Sequence, residues 1–189
     1  MKIGLFGGAF NPPHNGHMSV ARCAIKEANL DKLIFIPTGN APHKEETQVS
    51  REDRYNMVLE AISGEEKMCV SDYEIKRSEV NYSANTVEYF KSIYPEDELF
   101  FIIGDDSYNQ LDTWFEPHRI TAFSTLLVFP REGADVKAPA VMLPMDIVVA
   151  ASSDIREKIK MGKDCRNLLP KKVFDYIIKR NLYGLRDLD

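Results

Sequence analysis

The sequence predicts a doubly wound α/β fold, a mainly parallel sheet with helices on both faces. Three observations carry this. Short runs of branched and aromatic apolar residues alternate along the chain with stretches whose apolar residues fall at helical spacing. The first unit is strand, glycine turn, helix and strand, which must cross over right-handed into a parallel sheet. No internal repeat, low-complexity tract or domain linker interrupts the alternation. A single domain over residues 1–189 is therefore expected, with a helical C-terminal part from about residue 152 packed on it.

Taken in order, Lys2–Phe6 is a short buried strand closed by Gly7-Gly8. Met18–Ala28 is a helix on the spacing of Met18, Ala21, Ala24, Ile25 and Ala28. Leu33–Ile36 is the second strand, stopped by Pro37. Ser50 reads as the N-cap of the next helix, with Asp53 at the capping-box position in place of the usual Glu. Met57, Val58, Ala61 and Ile62 form that helix's apolar face. Met68–Ser71 is a third strand, and Ser83–Ile93 a helix that ends before Pro95. Leu99–Ile103 is a strong buried strand and Leu126–Phe129 a later one. Either Ala140–Leu143 or Ile147–Ala150 adds a last short strand, and Arg131–Pro144 is expected to be a surface loop. Asp154–Met161 and Pro170–Arg180 are helical, the second with Pro in its first turn. A Rossmann-like sheet of this kind takes its ligand in the crevice at the carboxyl ends of the strands.

With 189 residues, 44% of them apolar and 28% charged, the chain can build one sizeable core. A net charge of −5 argues against a nucleic-acid or membrane surface. An anionic ligand would then be held by local positive potential. Cys23, Cys69 and Cys165 form no CxxC, which fits a reducing compartment without structural disulfides. Gly7, Gly8, Asn11 and Pro12 break the first apolar run too early for a secretory segment, and nothing approaches the ~20 apolar residues of a membrane span. A cytoplasmic protein is expected. Oligomeric state is not readable, though a homodimer is compatible with the chain.

The chemistry concentrates in Gly7-Gly8-Ala9-Phe10-Asn11-Pro12-Pro13-His14-Asn15-Gly16-His17, which follows a strand and opens a helix. Two glycines let the backbone approach a ligand and present N–H groups, and the helix start adds partial positive charge. His14 and His17 are three apart, so on a first helical turn they project on one side and can donate to a phosphate that gains charge. A tight turn with surface histidines, or a metal pair, are the competing readings. No third or fourth metal ligand lies at a familiar spacing, so a protein metal site is not expected. The pattern is not GxGxxG, so a dinucleotide fingerprint is not supported.

This stretch resembles the signature of the nucleotidyltransferase superfamily with the HxGH motif, whose members join a nucleoside monophosphate unit from ATP or CTP to a phosphate acceptor and release pyrophosphate. Relatives often carry Thr or Ser where this chain has Ala9, so a phosphate contact there must come from backbone. A second stretch, Ser152-Ser153-Asp154-Ile155-Arg156, places cap hydroxyls and a guanidinium at a helix start, where Ser153 or Ser152 can cap. By itself it is an ordinary cap followed by a surface Arg. It is similar to the superfamily's SSTxIR motif, with Ala151 at the first Ser position and Ser153 at the Thr position.

Three further features resemble nicotinate mononucleotide adenylyltransferases. Pro42-His43-Lys44 follows the second strand, where Lys44 pairs with phosphate or is simply solvated; Asn40 lies just before it. Tyr82-Ser83-Ala84-Asn85-Thr86 resembles the family's YTxxT segment, whose backbone holds the pyridine carboxylate; on composition it is a Ser83 helix cap. Gly104-Asp105-Asp106, then Trp114-Phe115, resembles its GxD segment and stacking Trp. Asp106 would accept from ribose hydroxyls; a turn carboxylate and a core Trp are the plain alternatives.

The resemblance implies an enzyme that transfers the AMP unit of ATP to nicotinate mononucleotide, with Mg²⁺ accompanying ATP. It places His14, His17 and Arg156 at the reacting phosphates. Gly7, Gly8, Ala9, Phe10, Lys44, Gly104, Asp106, Ser152, Ser153 and Ile155 join them around ATP. The acceptor would meet Gly8, Asn40, Lys44, Tyr82, Ser83, Ala84, Thr86, Trp114 and Phe115. An enzyme preferring the amide mononucleotide, and a non-catalytic nucleotide-binding protein, are the alternatives.

Overall fold

Side chains that alternate between two cores run along β1 (Lys2–Gly8): Ile3 and Leu5 face one apolar cluster and Phe6 the other. A strand buried on both faces belongs inside a parallel sheet. The computed structural model describes residues 1–40, 49–131, 133, 135–148 and 150–184. In it β1 pairs in parallel with β2 (Lys32–Pro37) on one side and β4 (Glu98–Gly104) on the other. β3 (Met68–Val70), β5 (Thr125–Phe129) and β6 (Val141–Met142) complete a parallel six-stranded sheet of order β3-β2-β1-β4-β5-β6. The order reverses between β1 and β4, and the crevice of such a sheet lies there, beyond the strand carboxyl ends.

One face is covered by α1 (Asn15–Glu27) and α2 (Arg51–Ala61), with Met18, Ala21, Ala24 and Val58 buried against Phe6, Phe35 and Leu127. The other is covered by α3 (Ser83–Ile93) and α5 (Pro117–Phe123), with Val87, Phe90 and Ile120 against Ile34, Phe101 and Val128. A short α4 (Asp105–Asn109) leaves β4 directly. The C-terminal α6 (Ser152–Lys160) and α7 (Lys171–Arg180) pack on α2 through a third cluster of Met57, Ile155, Ile159, Val173 and Ile177. Each such fully buried aliphatic side chain contributes about 1.5–3 kcal/mol.

The strands stand where expected, most lengthened by a residue or two. Ser50 caps α2 by accepting from the Asp53 N–H at 3.0 Å. Several expectations need correction. The last strand, Val141–Met142, falls at the Ala140–Leu143 alternative and so inside the span read as a loop, and residues 147–148 form none. Tyr82, not Ser83, occupies the N-cap of α3, and Ala151, not Ser152 or Ser153, that of α6; neither cap carries a side-chain bond. Pro170 is the N-cap of α7, one place before its first turn. α4 and α5 were not anticipated, because five and seven residues are too few to show a helical period.

Candidate active site

The glycine turn after β1 runs into α1 with His14 at the N-cap, in extended backbone geometry (φ −139°, ψ 173°), and His17 three residues on. The two rings lie 3.8 Å apart at 31°. Their approach comes from the N-cap to N3 relation, not from two positions inside a helical turn. The His14 backbone N–H donates to His17 Nδ1 at 3.2 Å. In neutral His17 the proton therefore sits on Nε2, free to donate outward. His14 is 3% exposed, and its Nδ1 has no hydrogen-bond partner among the described residues.

Both imidazoles are held neutral. Burial, and then the Arg131 guanidinium, push His14 down to about 4. Burial, His14 and Arg131 together hold His17 well below the ordinary histidine range. A Cβ on Gly16 would come within 3.0 Å of the His14 ring, so only glycine leaves that ring its place.

Four donors from distant segments hold the turn. Arg54 Nη1 donates to the Ala9 carbonyl at 2.9 Å, and Arg156 Nη1 to that of Asn11 at 2.8 Å. Ser152 Oγ donates to the Pro12 carbonyl at 3.0 Å, and the Tyr183 hydroxyl to Asn11 Oδ1 at 2.7 Å. These bonds fix the turn against the start of α1, the helix end that favours an anion.

Other expected residues fall into three groups. Gly7, Gly8, Gly104 and Asp106 lie at the carboxyl ends of β1 and β4; Asp106 accepts from the Ser107 N–H at 2.8 Å and sits 3.4 Å from Arg131. Tyr82 and Phe115 meet ring to ring at 4.4 Å beside the start of α3, and Trp114 is half-buried against the core. Several side chains, by contrast, are used inside the fold. Phe10 is 2% exposed and backs His17 edge-on at 5.0 Å. Ile155 and Ala84 are core residues. Thr86 donates to Glu74 Oε1 at 2.7 Å. Asn40 bonds Ser78 and Asn81 across a bridge to Val80 and accepts from Arg51. Ser153 is exposed and donates to its neighbour Asp154 at 3.3 Å. Phe10, Ile155, Ala84 and Thr86 are buried, so there it is backbone that can face a ligand. Lys44, with Pro42 and His43, lies outside the described residues.

Arg131, Arg54, Glu74 and Tyr183 carry no local signal: they sit in a loop, a helix, a turn and the C-terminal region without any motif. Asp105, also passed over, is fully buried and accepts from the Arg131 and Gly133 N–H groups at 2.9 and 2.7 Å.

A parallel sheet with a glycine turn and a neutral imidazole pair at its switch point is the arrangement expected of a nucleotidyltransferase. The chain belongs to the cytidylyltransferase-like family, whose pattern matches residues 5–158. Among its relatives, a protein of Shouchella clausii named "Probable nicotinate-nucleotide adenylyltransferase" is 41% identical over 97% of each chain. A Clostridium tetani protein of the same name is 36% identical over 96% of this chain and 98% of its own. The fold is also that of Plasmodium falciparum nicotinic acid mononucleotide adenylyltransferase complexed with NaAD, with a TM-score of 0.82 at 21% identity and 98% coverage of both chains.

Proposed function

We propose that this chain is a nicotinate-nucleotide adenylyltransferase, joining the AMP unit of ATP to nicotinate mononucleotide and releasing pyrophosphate, a step of NAD biosynthesis. Membership among relatives of that name supports the substrate pair. The single structural observation that carries the chemistry is the neutral His14–His17 pair at the start of α1.

An oxygen of the mononucleotide phosphate, already ionised at neutral pH, attacks the α-phosphorus of ATP. The bond from that phosphorus to the bridging oxygen of the β-phosphate breaks, and pyrophosphate leaves with the electron pair. No side-chain nucleophile or base is needed, so catalysis is positioning and charge stabilisation. His17 Nε2–H donates to the reacting phosphate, and His14 lies against it. Arg156 keeps Nη2 and Nε for the leaving phosphates, since among the described residues only Nη1 is engaged.

ATP-dependent nucleotidyl transfer generally uses a divalent ion. Mg²⁺ accompanying ATP would supply that ion and neutralise phosphate charge. No helix among the described residues is long and apolar enough to cross a membrane. The three free cysteines are compatible with a reducing, cytoplasmic setting.

Pyrophosphate release with ATP and each mononucleotide tests the reading. The parent is expected to prefer the acid, and His17→Ala to lose roughly 10²–10³ in kcat, the scale of one transition-state donor. Preference for the amide refutes the acceptor assignment. Equal, near-zero rates in parent and variant refute the transfer itself.

A further inference from the structure

Arg54 is 4% exposed, yet it meets no carboxylate at hydrogen-bond distance among the described residues. Its two terminal nitrogens go to two different loops: Nη1 to the Ala9 carbonyl at 2.9 Å and Nη2 to the Thr38 carbonyl at 2.6 Å. The first loop follows β1 and the second follows β2, on the sides expected to hold ATP and the acceptor. Glu74, 7% exposed, continues the chain of bonds. Its Oε2 accepts from the Gly39 N–H at 3.3 Å, and its Oε1 from the Thr86 hydroxyl at 2.7 Å in the first turn of α3. Gly39 fits closely, since a Cβ there would lie 2.2 Å from the Glu74 carbonyl oxygen. An arginine and a glutamate are thus buried near one another without direct pairing, each spent on backbone or hydroxyl partners. Burying charge in this way is costly and is kept where it fixes a geometry.

We propose that Arg54 and Glu74 are positioning residues forming one bridge, Ala9–Arg54–Thr38–Gly39–Glu74–Thr86, that sets the spacing between the ATP loop and the acceptor loop. The proposal rests on the adenylyl-transfer reading for its use, though not for its existence. In-line attack needs the acceptor oxygen within about 3–3.5 Å of phosphorus, and an ångström of slack between the two loops is enough to lower the rate. Neither side chain needs to touch a substrate for this. Coulombic attraction between the two charges reinforces the bridge.

Amide hydrogen exchange on the free protein reads the bridge without any turnover. Glu74→Met keeps the length of the side chain but can accept neither hydrogen bond, so both the Gly39 and the Thr86 links are lost. The expected result is that residues 9–11 and 38–40 exchange faster together, by about tenfold, while β1 and β4 do not change. Glu74 touches only the second of these loops, so joint loosening is the signature. Arg54→Met should do the same, and the double variant should be no worse than the worse single one. In Glu74→Met, faster exchange confined to residues 38–40, or none at all, overturns the bridge, and this variant decides the matter even if Arg54→Met does not fold. In turnover, kcat should fall roughly 10–100-fold with KM for ATP within about threefold. Unchanged kcat in Glu74→Met of an active parent overturns the positioning role. A parent that releases no pyrophosphate fails the proposed function instead, and the exchange result still stands.

Discussion

Single residues set the chemistry here through burial more than through identity. His14 and His17 would titrate near 6.5 in the unfolded chain, but the fold keeps both neutral. Stability is therefore full above about pH 6.5 and declines as the pH falls toward about 4, where folded His14 takes its proton. Each ring adds a slope of about 1.4 kcal/mol per pH unit in that window. Urea midpoints at about pH 6.5 and 5 measure it. His14→Gln should show a smaller loss than the parent across the interval, and equal losses refute the account. Gly16→Ala separates position from stability. Alanine is the better helix former, so the fold should hold, but its Cβ crowds the His14 ring at 3.0 Å and Val148 Cγ1 at 2.8 Å. kcat/KM is expected to fall roughly 10–100-fold with little change in Tm. Parent-like turnover would show that the ring's place is not critical.

At the level of elements, the turn after β1 is held by pieces far along the chain. Tyr183 is 9% exposed, and its hydroxyl lies 2.7 Å from Asn11 Oδ1. Tyr183→Phe leaves that amide oxygen without its donor and should cost about 1–3 kcal/mol, read as a lower urea midpoint. Because Asn11 also presents its carbonyl to Arg156, kcat should fall with it. A lower midpoint at unchanged kcat would confine Tyr183 to stability. The elements themselves were legible where their pattern was long. The spacing of α3 predicts Ser83–Ile93, and the helix has those bounds. The Ser50 cap of α2 also follows from local chemistry. The caps of α3 and α6 do not, because Ser152 is drawn to the Pro12 carbonyl instead. A side chain with a tertiary partner within reach need not serve its own helix.

Across the whole molecule, α6 and α7 share a buried cluster with α2, and α6 bonds the turn after β1. The C-terminal helices should therefore unfold with the sheet. Trp114 fluorescence, which reports the sheet side, and far-UV circular dichroism are expected to give one coincident thermal transition. Two separated transitions would divide the molecule into independent units. ATP at about a hundred times its Kd should raise that transition through about 2.7 kcal/mol of linkage, or roughly 5–10 °C for a chain of this size.

The sequence by itself determined the sheet and the place of the glycine turn with its two histidines. Alternating apolar periods, glycines and the paired histidines are local signals, written in neighbouring residues. Tertiary structure alone decided that the histidines are neutral, that Phe10, Ile155 and Thr86 turn inward, and that Arg54, Glu74 and Tyr183 hold the loops. Burial and long-range hydrogen bonds join residues as much as 172 positions apart, and no local pattern encodes which of them will meet.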